Sequence, residues 1–151
     1  VATVAHMVTD ATPLPETEIS QYLSGPEEGF DLIYSTFVMH HIEDVQGIVN
    51  TLSKKLLGKN GWLVIVDFEG HKEQHDDQIV QHVHEFFKGA DGKAIEHVAH
   101  KGGFTTEGFA DMFRKAGLVD VSAKHAFGLN LTRNDKAIWT DFLVVMGRRE
   151  A

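Results

Sequence analysis

The chain has 151 residues, 42% apolar and 24% charged, which suits one domain with a hydrophobic core of its own. A formal net charge of −8 argues against a nucleic-acid backbone as main partner, since that affinity comes from clustered Lys and Arg. There is no cysteine, hence no disulfide framework and no thiolate metal site, and no apolar run approaches membrane-spanning length, so the expected setting is cytoplasmic.

The opening Val1-Ala2-Thr3-Val4 has no basic region; it reads as a chain entered in the middle rather than as a signal peptide. Val4–Val8 is predicted as a short strand, with Asp10 beyond its carboxyl end. Pro13 and Pro15 enforce an extended turn. Glu16–Leu23 is predicted as a helix with Ile19, Tyr22 and Leu23 on one face, ended by Ser24-Gly25-Pro26.

Leu32–Tyr34 is an apolar strand ending in Ser35 and Thr36, followed by His40-His41. Val45, Ile48, Val49, Leu52 and Leu56 recur at three and four and predict a helix. The turn Gly58-Lys59-Asn60-Gly61 leads to a second buried run, Trp62–Asp67. Strand, crossover helix and strand make a βαβ unit, and runs without alternation indicate a parallel sheet. In such sheets ligands bind beyond the carboxyl ends of the strands, which places Ser35–His41 and Asp67–His71 at the expected site.

Glu69–Asp77 is polar, and Ile79, Val80, Val83, Phe86 and Phe87 predict an amphipathic helix over Asp76–Lys88. Gly89–Gly92 breaks it, Lys93–His100 is read as another short helix, and Lys101-Gly102-Gly103 as a flexible joint. Thr105 or Thr106 caps a helix whose stripe is Phe109, Met112, Phe113 and Ala116, with Gly117 as terminator. Val119, Val121, Ala123, His125 and Phe127 alternate as an edge strand should, Gly128–Lys136 is expected to be a polar loop, and Trp139–Met146 is the last strand. Joined without a helix, the last two strands should pair antiparallel.

The order and spacing of Phe-Asp-Leu-Ile-Tyr-Ser, His40-His41-Ile42-Glu43-Asp44 and Gly61–Asp67, with Asp10-Ala11-Thr12-Pro13-Leu14-Pro15 upstream, resemble a class I S-adenosylmethionine-dependent methyltransferase of the ubiquinone and menaquinone biosynthesis type. The resemblance covers nearly the whole chain. It implies an α/β, Rossmann-like sheet, mostly parallel with a C-terminal antiparallel strand, in one partial domain over residues 1–151. It also implies S-adenosylmethionine as cofactor and a small-molecule methyl acceptor. Asp10 and Ala11 would meet the adenine; Ser35, Thr36 and Phe37 would lie against the cofactor's sulfonium and adenosine.

His40 and His41 are the candidate catalytic residues, because an imidazole near neutral pH can take a proton as a methyl group arrives. One is read as a base or a substrate-positioning group, the other as packing or capping the next helix. Asp67, Phe68, His71 and Phe104 are the candidate substrate residues, with residues 68–104 as a substrate or lid insert. The competing reading of Asp67 is capping or loop bracing. His71 and His75 are four apart, and His97 and His100 three apart. Without cysteine or a carboxylate at a diagnostic spacing they read as surface histidines, and no metal is expected.

The family's glycine-rich loop and acidic ribose clamp have no counterpart in this sequence, so the expectation is an N-terminally truncated domain lacking about 60 residues, at roughly 30 per βα unit. S-adenosylmethionine is then not expected to bind this chain alone. The alternative is a non-catalytic methyltransferase-like module acting through association. The open sheet edge suggests a homo-oligomer, unless Val4–Val8 pairs with Leu32–Tyr34. In that case the strand order is Val4–Val8, Leu32–Tyr34, Trp62–Asp67, Trp139–Met146, Val119–Phe127, the fourth antiparallel to the rest.

Overall fold

Four strands form one mixed sheet in the spatial order β1-β2-β4-β3: β1 is Phe30–Thr36, β2 Leu57–Phe68, β3 Leu118–Arg133 and β4 Lys136–Arg149. The computed structural model describes Val8 and residues 29–70, 87–89, 91–133 and 135–151. The expected first strand, apart from Val8, and the expected helices Glu16–Leu23 and Asp76–Lys88, apart from Phe87 and Lys88, lie outside the described residues. So do Asp10, Ala11 and His71.

β1 and β2 pair in parallel, Leu32 opposite Trp62 and Thr36 opposite Val66. β4 is antiparallel to both β2 and β3, so the four described strands take the expected order and directions. The turn expected at 58–61 lies inside β2 as a bulge. The partner of β1 jumps from Leu57 to Trp62 between Phe30 and Leu32, and Asn60 takes a left-handed φ of 62°.

The crossover is helix α1, Val45–Thr51, extended by a π-helical turn, Leu52–Leu56. Asp44 caps it by accepting from the Gly47 N–H at 2.8 Å. Helix α2, Thr106–Lys115, is capped by Thr105, whose hydroxyl accepts from the Gly108 N–H at 3.1 Å. Gln46 donates to the Met112 carbonyl at 3.0 Å and ties the two helices together. Both lie on one face of the sheet. There Val49, Phe109 and Phe113 pack with Leu63, Ile65, Leu143 and Val145 into the main core. The expected stripe of α2 is realised in buried Phe109, Phe113 and Ala116 and partly buried Met112. On the other face, at the carboxyl end of β2, Phe68, Phe87, Val98 and Phe142 form a smaller cluster.

Two expectations are corrected. Lys93–His100 is not helical; it is a run of turns opened by an isolated bridge between Lys88 and Ala94. Its backbone groups are spent on other elements: the Ile95 N–H donates to the Phe87 carbonyl, the His97 carbonyl accepts from His41, and the His100 N–H donates to the His40 carbonyl. Nor is Gly128–Lys136 a loop. β3 runs through it to Arg133, with Leu129 opposite Thr140 and Leu131 opposite Ile138. Asn130 and Thr132 face solvent while Leu131 packs on the second cluster.

Candidate active site

β1 leaves the sheet at Phe37, whose N–H still donates to the Val66 carbonyl at 2.9 Å. Phe37 has φ of 57°, rare for a non-glycine residue and the kind of strain that gathers at functional sites. Phe37 is 43% exposed, and its ring meets Phe142 edge-on at 5.0 Å. Past it, the short 3-10 turn Met39–His41 carries both candidate histidines. Beyond the end of β1, Phe104 comes alongside β2 in its place: its N–H donates to the Phe68 carbonyl, and its carbonyl accepts from the Gly70 N–H, both at 2.8 Å. The site is therefore a notch between the end of β1, the end of β2 and this incoming segment.

Asp67 organises the notch. Its side chain is fully buried. One oxygen accepts from the Met39 N–H at 2.8 Å and the His40 N–H at 3.3 Å, capping the 3-10 turn. The other accepts from the Phe68 N–H at 2.8 Å and lies 2.8 Å from His40 Nδ1. A carboxylate only accepts, so Nδ1 carries the proton and His40 leaves Nε2 as its acceptor. Asp67, expected to line the acceptor pocket, is thus a brace, the other role weighed for it, because every contact it makes is internal.

His40 is 4% exposed, walled by Phe68 edge-on at 4.8 Å and by Phe87 at 5.3 Å. Among the described residues no fully buried side-chain nitrogen or oxygen lacks a partner. Nε2 has none there, so it is the atom through which His40 reaches accessible space. His41 is exposed; its Nδ1–H donates to the His97 carbonyl at 3.0 Å, and its ring lies 4.1 Å from that of His40. The two expected catalytic residues are adjacent but unlike, one enclosed and braced, the other open.

Ser35 and Thr36 lie at the end of β1, and beside Ser35 opens an apolar cavity of about 470 Å³ lined by Val8, Ile33, Val38, Met39 and Ile42. Phe68 is buried within the aromatic wall. Phe104, expected to contact substrate, is instead buried in the main core, stacked on Phe109 at 4.5 Å. Its backbone is fixed to β2 on both sides, which turns the ring inward.

One pair escaped the sequence reading. Glu69 is 8% exposed and its carboxylate lies 2.6 Å from Nδ1 of His125, at a bulge in β3. Glu69 follows Asp67 by two, so strand alternation could have flagged it. Its partner, 56 residues away, was visible to nothing local.

A family model described as a methyltransferase domain matches residues 4–123. The chain belongs to this methyltransferase domain family. An uncharacterised methyltransferase of Schizosaccharomyces pombe is 35% identical over 94 residues, covering 59% of this chain and 28% of that protein; the chain thus matches little more than a quarter of that relative's length. Among solved structures, YcgJ of Bacillus subtilis has a TM-score of 0.55 at 14% identity, over 85% of this chain and 68% of that one. Phosphoethanolamine N-methyltransferase 2 of Haemonchus contortus, solved with S-adenosyl-L-methionine, has a TM-score of 0.52 at 10% identity, over 84% and 34%. At these identities the structures speak for the fold of the methyltransferase domain alone: an α/β, partly Rossmann-like architecture. No helix among the described residues is long and apolar enough to cross a membrane.

Proposed function

We propose that this methyltransferase domain serves S-adenosylmethionine-dependent methyl transfer to a small molecule, with His40 as proton acceptor. The observation that carries the reading is the buried Asp67–His40 pair at the carboxyl end of a parallel strand pair. The residues present fit the apolar part of the cofactor: the cavity beside Ser35 has the size and lining of a ligand pocket, and the strained, exposed Phe37 lies two residues further along the chain. Ser35, Thr36 and Phe37 would hold that side, joined by Asp10 and Ala11. When bound, S-adenosylmethionine supplies an electrophilic methyl group on a sulfonium.

The chain's own residues supply the rest. Asp67 holds the His40 ring in one tautomer and stabilises the imidazolium that forms when Nε2 takes a proton from the acceptor's hydroxyl, amine or acidic C–H. Phe68 and Phe87 keep water from the ring, so that proton transfer is confined to the acceptor. Phe68 and His71 are the proposed acceptor contacts, within an insert spanning 68–104.

The test uses the whole natural polypeptide, of which this sequence is all or part. S-adenosylmethionine is titrated in, and transfer of its labelled methyl group to a panel of phenols, amines and carbon acids is followed. His40→Gln should lower turnover by about 100-fold or more and leave cofactor affinity nearly unchanged. Unchanged turnover would remove His40 as the base; failure to bind the cofactor would remove the reading itself. The 151-residue chain alone contains no glycine-rich loop, and each charge-assisted bond lost is worth about 1.5–3 kcal/mol, so by itself it should bind weaker than micromolar.

A second reading, association without catalysis, is favoured by one observation. Leu32 and Tyr34 on β1 are 56% and 72% exposed, an apolar pair that a lone parallel strand does not ordinarily leave bare.

A further inference from the structure

The segment from Ile95 to Phe104 crosses over the 3-10 turn that carries the histidine pair, and it is bonded to that turn at three points. The His100 N–H donates to the His40 carbonyl at 2.9 Å. His100 Nε2 lies 2.9 Å from the Ile42 carbonyl. The His97 carbonyl accepts from Nδ1 of His41 at 3.0 Å, and the two rings stack at 5.5 Å, 13° from parallel. A carbonyl cannot donate, so His100 carries its proton on Nε2, whereas His40 and His41 carry theirs on Nδ1.

The segment is itself anchored at both ends. Val98 is 1% exposed, and the Ile95 N–H donates to the Phe87 carbonyl at 2.9 Å. At the other end Phe104 is bonded to β2, and the His100 ring rests on the Phe104 ring at 4.9 Å. The 3-10 turn is thus gripped from the sheet by Asp67 and from above by His100.

We propose that His100 is a positioning residue: its imidazole and amide lock the 3-10 turn against the strap, and so hold His41 in the tautomer that leaves Nε2 open as an acceptor beside His40. The proposal rests on the reading of the histidine pair as the site of proton transfer, but its geometry can be tested without methyl transfer. Asp67 alone accounts for His40. Among the described residues the hydrogen-bond partner of the His41 ring comes from the strap, so its tautomer depends on where the strap places the His97 carbonyl. His100 is what ties the strap to the turn beyond His41.

The experiment is long-range ¹⁵N–¹H correlation of the imidazole nitrogens in the same polypeptide at about pH 8, where ordinary histidines are neutral. Wild type should show His40 and His41 as Nδ1–H and His100 as Nε2–H. His100→Phe keeps a ring on Phe104 but cannot donate to Ile42; His41 should then drift toward the Nε2–H form that free histidine favours, while His40 stays as it was. His100→Gln restores a donor near Nε2 and should return His41 to Nδ1–H. A folded His100→Phe protein in which His41 keeps its wild-type tautomer overturns the proposal. If His100→Phe does not fold, wild type and His100→Gln decide. His100 protonated on Nδ1, or His41 altered in a folded His100→Gln protein, overturns it; the expected pattern in both supports it. Loss of methyl transfer in His40→Gln with these tautomers intact would concern the catalytic reading alone.

Discussion

A carboxylate buried without a counter-charge is stable only if its lone pairs are occupied, and Asp67 shows how that condition builds a site. Two backbone N–H groups of the 3-10 turn, one of β2 and one imidazole converge on it. Removing the acceptor strands these donors where water cannot replace it, at about 1–3 kcal/mol for each buried group left unpaired. Asp67→Ala should therefore destabilise the fold by about 2–4 kcal/mol in urea denaturation. Asp67→Asn keeps one acceptor oxygen and should lose less stability. It presents an amide to one of the donors, however, and so should free the His40 tautomer in the imidazole ¹⁵N spectrum. If both variants unfold at the wild-type midpoint, Asp67 is not the brace described.

At the scale of elements, the notch exists because two backbones approach unusually closely. A Cβ on Gly70 would lie 2.0 Å from the Gly102 carbonyl oxygen, and Gly103 adopts φ of 69°. Neither clash partner is a flexible side-chain tip, so the segment bearing Phe104 would have to move. Gly70→Ala should cost about 1–3 kcal/mol and speed hydrogen exchange at the Phe104 amide, which bonds to Phe68. Unchanged exchange there would show that the approach is not needed. The contrasting element is α2, held by burial rather than by backbone contact. Phe113 is completely buried, and Phe113→Ala should lower stability by about 3–5 kcal/mol, read as a drop in denaturation midpoint.

Over the whole molecule, the described residues cover the sheet unevenly. Among them, α1 and α2 bury one face, and the small aromatic cluster lies at the carboxyl end of the other. Leu32 and Tyr34 remain exposed on β1, one of the two edge strands among those described. Exposed apolar edges recruit other chains. We propose that a second copy of the chain docks on this edge, and the sedimentation of Leu32→Lys/Tyr34→Lys against wild type tests it. Wild type should associate with rising concentration and the double variant should not. A wild-type chain monomeric at about 100 μM, well above ordinary micromolar dimer affinities, would leave the edge without a self-partner.

What the sequence determined by itself was whatever depends on neighbours along the chain. The unalternating runs around Leu32–Tyr34 and Trp62–Asp67, with an amphipathic crossover between them, sufficed for the parallel pair. The Thr105 cap and the Phe109–Phe113 stripe sufficed for α2. The His pair was singled out because it lies at the end of a strand, where such sheets bind ligands. The tertiary structure decided what depends on partners far along the chain. Gly128–Arg133 looked like loop by composition, and only its pairing with β4 makes it strand. Lys93–His100 looked helical, but its bonds reach back to the 3-10 turn, more than 50 residues away. Asp67 and His40 are 27 residues apart, Glu69 and His125 56. A buried polar group must find a partner wherever the fold supplies one, and periodicity, which reports only which face is apolar, cannot say where that is.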